Sequence, residues 1–370
     1  SKAARLWQIP VRLSAGNKVS NVVVRGAKST AVTLKGCGSL VVNSGQSAYY
    51  RTLYTPAHFE TLRANFASLS LDDQVGILAD AYALANGGYQ PIEQYLGLLS
   101  SLSADTAPLV WTLAVSQLTS IDDRLRGASE QAAFRARART LLMPVFSKTG
   151  WLAQINEAPA VAQLRERIIP ALGQFGDEAI REQARLYVES SFSAPDTVSG
   201  AVRLAALPVA AYAADAKAWE TLHARAIAEK GPVAKRLYYG YLGAAANPEL
   251  ARQALGIALT DEAPVPIRSA IIRAVAAEHP ELAFSWAIAN AKAVNAILEE
   301  SSRAGFIPEL AAASTDMKIA DQIIAYANRA LPAGSRGDAI TAASLVRYRA
   351  TVRAAQSASI AAWAKNSAHN

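Results

Sequence analysis

At 370 residues, with 51% hydrophobic and 18% charged residues, the chain is too long for one ordinary core and too apolar for disorder. A small domain plus a large one, or an elongated repeat array, is expected. No run of eighteen or more apolar residues is free of charge, so no helical membrane span is expected, and the one cysteine, Cys37, excludes an internal disulfide and a cysteine-rich zinc site. The net charge of +7 comes from 37 basic residues interleaved with 30 acidic ones, a mixture that argues against a nucleic-acid partner.

Strand chemistry opens the chain. Leu6–Leu13, Asn21–Val24, Ala31–Leu34, Leu40–Asn43 and Ala48–Tyr54 are short runs of β-favouring residues. Ala15-Gly16-Asn17, Gly26, Gly36-Cys37-Gly38 and Ser44-Gly45 separate them as turns. This spacing predicts a small antiparallel β-sandwich over residues 1–55, too thin to stand alone and expected to lean on a neighbour.

From Pro56 the apolar period becomes helical and stays so to the end, which predicts a second domain over residues 56–370. Pro56 fits a first-turn position, with Phe59, Leu62 and Phe66 on one face. Ser70 is a candidate cap, Asp72 and Asp73 favour the first turn, Val75, Leu78, Tyr82 and Ala85 share a face, and Asn86-Gly87-Gly88 ends the helix. Pro91 starts another. Further helices are predicted at 106–120, 123–146, 158–172, 176–191, 197–212, 215–229, 231–245, 247–259, 265–277, 280–290, 292–304, 316–330 and 336–365. Short loops between short helices over three hundred residues predict a mainly α fold, an α/α superhelix of HEAT-like helix pairs, with a globular bundle or a toroid as alternatives. Arg135, Arg137 and Arg139 are the densest basic cluster, and are read as a solvated helix surface.

The chemistry-bearing residues are sparse. Zinc hydrolysis needs two histidines one helical turn apart and a carboxylate, but His58, His223, His279 and His369 are widely separated. Cys37 sits between two glycines with no histidine nearby in sequence. No nucleophile elbow, phosphate loop or dinucleotide fingerprint is present. Asp72/Asp73, Asp122/Asp123 and Glu299/Glu300 are read as acids serving helix dipoles or solvation. No catalytic residue, metal ligand or cofactor site is therefore assigned to this chain.

Several segments nevertheless resemble a known family. Leu40-Val41-Val42-Asn43 followed by Tyr49-Tyr50-Arg51-Thr52-Leu53-Tyr54 resembles the strand just after the catalytic domain of M1-family (gluzincin) zinc aminopeptidases, with Ala48 for the usual glycine and Thr52 for the usual valine. Trp7-Gln8-Ile9-Pro10-Val11 looks like the family's opening strand, and Asp72–Ala85 is similar to its first long helix. Leu172-Gly173 with Glu178–Arg185 fits the following helix pair, and Ser344–Lys365 its last helix. The resemblance is sharpest over residues 40–90 and architectural beyond about 190.

The resemblance implies a non-catalytic C-terminal region that caps the active site and shapes a peptide chamber. Zinc and the catalytic residues would belong to an N-terminal catalytic domain of the same polypeptide, and the whole protein would remove N-terminal residues from peptides. It also implies arginines that meet a peptide's carboxylate, because a guanidinium is a permanent, bidentate partner. Arg303, Arg336, Arg347, Arg349 and Arg353 are candidates, with Arg303 and Arg347 ranked first for their place in late helices. The alternative is a free-standing helical-repeat scaffold binding a protein or peptide on its concave face. A bacterial periplasm and a cytoplasm are both open.

Overall fold

A computed structural model of the chain describes residues 7–26 and 29–366. Strands β1 (Gln8–Ala15) and β2 (Lys18–Arg25) form a hairpin, and β3 (Leu40–Val42) adds on the other side of β1. Both pairings are antiparallel, with Leu13 opposite Ser20 on one side and Val42 on the other. Gly16 takes φ 57° in the two-residue turn, where an added Cβ would come within 2.6 Å of the Cys37 carbonyl oxygen. The runs 31–34 and 48–54 carry no ladder, so the described residues form one three-stranded sheet. Residues 48–54 are held instead by side chains, as described below. Leu6 and His369 lie outside the described residues.

Seventeen α-helices follow among the described residues: α1 (Pro56–Ala64), α2 (Leu71–Asn86), α3 (Ile92–Ser100), α4 (Pro108–Arg124), α5 (Gln131–Thr149), α6 (Pro159–Gln174), α7 (Glu178–Ser193), α8 (Gly200–Tyr212), α9 (Ala216–Ala228), α10 (Pro232–Leu242), α11 (Pro248–Ile257), α12 (Val265–Glu278), α13 (Pro280–Ala289), α14 (Ala291–Ala296), α15 (Arg303–Leu310), α16 (Met317–Ala330) and α17 (Gly337–Lys365). The fold is thus mainly α with a small sheet. Many start where the local chemistry asks them to. Thr55, Ser70, Asp177, Ser199, Asp215, Asn247 and Asp316 each accept a hydrogen bond from a backbone N–H of the first turn, and Pro stands at the start of α1, α4, α6, α10, α11 and α13. Two predicted helices change: the one expected over 292–304 is split, with α14 ending at Ala296 and α15 starting at Arg303, and another moves its boundary. A helix over 123–146 was expected, but α4 runs on to Arg124 and Gly127 at φ 72° turns the chain before α5. Asp122 and Asp123 therefore close a helix instead of opening one.

The helices form two layers. One is continuous: α2, α4, α6, α8, α10, α12, α15 and α17 each touch the next, and α17 returns to α3, α4 and α5. Four of the remaining helices each pair with one member of it, α7 on α8, α9 on α10, α11 on α12 and α16 on α17. The array thus closes on itself. α17 is tied back to the early helices by Gln356 Nε2 donating to Ala85 O (3.1 Å), Trp363 Nε1 to Ser100 Oγ (2.9 Å), and Trp363 packing on Phe134. One hydrophobic core runs from Val41 to Ile360. Small residues set the spacing of the continuous layer: a Cβ on Gly243, just past α10, would come within 2.9 Å of Ile271 O in α12.

Helix polarity follows from the contacts at the ends. Asn86, Arg124, Gln174, Tyr212 and Glu278 are the last residues of α2, α4, α6, α8 and α12; Arg124 bonds Asn86, while Gln174, Tyr212 and Glu278 are linked through Asp122, Asp123, Arg126 and Arg135, so α4 and its flanking turn contribute to both groups. The carbonyl ends of the layer thus converge on one rim. The sheet is tied to the opposite end of α2, where Asp73 of the first turn accepts from Gly45 N at 2.7 Å.

Candidate functional site

Two polar assemblies stand out, one at each rim. At the first, residues 43–54 are strapped to α2. Asn43 is buried with φ 61°, and its side-chain amide closes on Ala48, accepting from Ala48 N (3.0 Å) and donating to Ala48 O (2.9 Å). An asparagine fits because it tolerates the left-handed region and mimics a backbone turn. Asp80 then accepts from Thr52 N (2.8 Å) and Arg51 Nη1 (3.0 Å). Tyr54 Oη accepts from Val42 N at 2.9 Å and lies 3.2 Å from Val42 O. Burial, outweighing that backbone contact, pushes the Tyr54 phenol up to about 12, so it stays a donor at neutral pH. The Asn-and-Tyr-Tyr-Arg motif is therefore a structural joint. Beside it Tyr49 and Trp7 are largely open to solvent, as are Val19, Val23 and Leu53 in part.

At the second rim the converging helix ends form a polar floor. Asp122 is fully buried, and Arg135 binds it with Nε at 2.7 Å and Nη2 at 2.8 Å. Gln174 Nε2 donates to Asp122 Oδ2 (3.0 Å) and Asp123 Oδ1 (3.3 Å), and Tyr212 Oη accepts from Arg135 (3.2 Å). Arg126 Nη2 stands 3.3 Å from Asp123 and 3.5 Å from Glu278. Arg124 donates to Tyr82 Oη (2.9 Å) and Asn86 Oδ1 (3.3 Å), and lies over the Tyr82 ring. Arg349 Nε donates to Ala313 O (3.0 Å), and Arg353 to Thr315 Oγ1 (2.7 Å).

Acids at helix C-termini are unfavourable, since the carbonyl ends already carry negative potential. The arginines offset this. Burial works against the Arg135 charge, but the hydrogen bonds and charge of Asp122 outweigh it and its pKa is raised. Burial raises Asp123, against the pull of Arg126, and pushes Glu278 up to about 6. Burial, aided by Arg124 and Arg126, lowers Arg349 against the pull of Asp123.

The reading of Arg135, Arg137 and Arg139 as a solvated surface is thus overturned. Arg135 pairs with buried Asp122, Arg139 donates to Phe175 O, and Arg137 lies 5.8 Å from the centroid of the Trp363 ring. Of the candidate carboxylate contacts, Arg303 caps Asn295 O (3.0 Å) and Leu298 O (3.3 Å), while Arg347 pairs with Asp321 (2.9 Å) on α16. Arg336 caps Leu331 O locally, and Arg349 and Arg353 reach the floor region. Floor residues such as Asp122, Gln174, Tyr212 and Glu278 had no signal in sequence beyond the proximity of Asp122 to Arg135.

The described histidines do not fit a zinc site. His58 meets Thr55, His223 meets Glu262 at 2.7 Å, and His279 meets Ala245 O at 2.9 Å. Among the described residues no three His, Cys, Asp or Glu side chains gather to hold a metal, and no helix is long and apolar enough to cross a membrane.

Comparison with known proteins agrees with the fold. Residues 39–344 match the family described as the ERAP1-like C-terminal domain. The chain is 24% identical over 181 residues to the alanine/arginine aminopeptidase of Saccharomyces cerevisiae, covering 48% of this chain and 21% of that protein. It is 30% identical over 140 residues to aminopeptidase 2 of Candida albicans (37% and 15%), and 25% identical over 256 residues to aminopeptidase M1-A of Oryza sativa subsp. japonica (66% and 29%). The matched stretches span less than a third of each of these relatives. With the helical array, the joint motif and a family match over most of its length, the chain belongs to the ERAP1-like C-terminal domain family, the C-terminal region of M1-type aminopeptidases.

Proposed function

We propose that this chain is the accessory region of a zinc-dependent aminopeptidase, capping an active site carried by an N-terminal catalytic domain of the same polypeptide and bounding the chamber that peptides enter. In this reading residues 1–55 form a docking domain and 56–370 a bowl. The observation that carries it is the opposition of the two rims: the carbonyl ends of the ring close on a polar floor, while the sheet attaches at the other end of α2. A ring closed at one end and flanked at the other by Trp7, Tyr49 and Leu53 suits a cap over a neighbouring domain. The names of the relatives support the peptide substrate, and among the described residues no group of side chains gathers to hold zinc. Arg303 and Arg347 would be the contacts for a peptide's carboxylate; Arg347 is part-exposed and would have to release Asp321, its partner at 2.9 Å, to take that role.

The first test is zinc content and aminoacyl-arylamide hydrolysis by the purified chain with added zinc. Neither metal nor turnover is expected. Stoichiometric zinc with chelator-sensitive turnover overturns the reading. A second test mixes the chain with the polypeptide encoded upstream of it: binding is expected, and Tyr49→Ser should weaken it at least ten-fold without changing the melting temperature.

A further inference from the structure

The loop between α5 and α6 sits at the rim opposite the floor. Gln174, the last residue of α6, bonds Asp122 and Asp123 of α4, so α6 runs parallel to α4 and starts roughly 24 Å from the floor. The loop before it, residues 150–158, therefore shares its rim with the sheet, which is tied to the first turn of α2. α2 touches α4 and α4 touches α6, which puts the loop about 20 Å from the joint around the ring.

This loop is both apolar and fixed. Ile155 is 95% exposed and Leu152 62%. Trp151, beside Leu152 in the chain, packs edge-on against Phe146 of α5 and Tyr187 of α7, with ring centroids 6.3 and 5.2 Å away. Arg165 of α6, itself buried, donates to Thr149 O (2.7 Å), Gly150 O (3.0 Å) and Glu157 Oε1 (2.7 Å). Glu157 N donates to Gln154 O (3.2 Å) and closes a tight turn, with Ile155 and Asn156 as its central residues and Asn156 at φ 62°. A buried guanidinium–carboxylate pair adds little net stability, because desolvation offsets the attraction. Its effect here is to hold one conformation of a loop whose tip is an aliphatic side chain in water. A loop ordered in advance loses less entropy when it docks. The charged groups beside it are already paired, Arg165 with Glu157 and Lys148 with Asp105, so the tip offers chiefly apolar surface.

We propose that Leu152 and Ile155 form a second foot, after the sheet, by which the ring stands on the N-terminal catalytic domain, seated in an apolar depression of that domain. The proposal rests on the accessory-region reading. The size of what lies outside this chain points to that occupant. The matched stretches span less than a third of each relative, and a body of several hundred residues has a radius of gyration of about 20 Å, enough to reach from the joint to the loop.

The experiment is hydroxyl-radical footprinting of the whole polypeptide and of this chain, read by mass spectrometry at Tyr49, Leu152 and Ile155. Leu152 and Ile155 should be labelled freely in this chain and about ten-fold less in the whole polypeptide, as in the dry centre of an interface. Ile155→Asp in the whole polypeptide should restore labelling of Leu152. The same change should leave the melting temperature of this chain as it was, because Ile155 is exposed. Equal labelling of Leu152 and Ile155 in both proteins, with Tyr49 protected in the whole polypeptide, overturns the second foot and leaves the accessory-region reading standing. Equal labelling of all three residues overturns both. Protection of Ile155 in this chain that grows with its concentration overturns the second foot as well, since the loop would then be seating against a second copy.

Discussion

The joint and the floor are both polar assemblies at ends of the same helical layer, but they are built differently. In the joint, Asn43, Arg51, Tyr54, Asp73 and Asp80 lie within 38 positions of one another and mostly bind backbone groups. In the floor, Asp122, Gln174, Tyr212, Glu278 and Arg349 come from five helices and a span of more than two hundred positions. The joint fastens one segment to one helix. The floor holds the ring together, so its loss should be felt everywhere, whereas loss of a joint contact should stay local.

The largest effect is expected from Asp122→Ala. It would leave Arg135, Gln131 and Gln174 without their acceptor in a fully buried setting, and breaking one side of a buried pair costs about 3–5 kcal/mol. Urea unfolding should show this as a global loss with cooperativity kept. A change of less than 1 kcal/mol, on the scale of an exposed pair, would break the contrast between the two regions.

Asp80→Ala should cost about 1–3 kcal/mol locally, since it orphans Thr52 N–H and releases Arg51. Faster exchange of the amides in residues 48–54, with the melting temperature little changed, is the expected reading. A global loss equal to that of Asp122→Ala would show that the joint, too, supports the ring.

Glu278→Gln should act in the opposite direction. A carboxyl whose folded pKa is raised binds its proton more tightly in the fold than in the unfolded chain, so stability falls as pH rises from about 4.5 towards and through about 6. Removing that titration should raise stability at pH 7.5 by about 1–2 kcal/mol and change little at pH 4. Unfolding curves of both proteins across pH 4–8 would check the sign. The smallest effect belongs to Arg347→Ala, which breaks an exposed pair with Asp321 and should shift stability by less than about 0.5 kcal/mol. Peptide hydrolysis by the whole polypeptide, with and without this change, then isolates any role in holding a carboxylate.

The sequence by itself determined the helical period from Pro56, the caps at Ser70 and Gly87, the hairpin turn at Gly16, and the family resemblance in Asn43 and Tyr49–Tyr54. These depend on neighbours a few positions apart, where propensity, capping and turn chemistry act directly. Only the tertiary structure decided that the runs 31–34 and 48–54 stay outside the ladder, that Asp122 and Asp123 close a helix, and that Arg135 and Arg139 turn inward. It also decided that α17 returns to α3–α5. A ladder needs a partner strand, and a buried carboxylate needs a guanidinium. Which distant residue supplies either depends on how the helices stack, because local pattern constrains each helix's faces but not its neighbours across the ring.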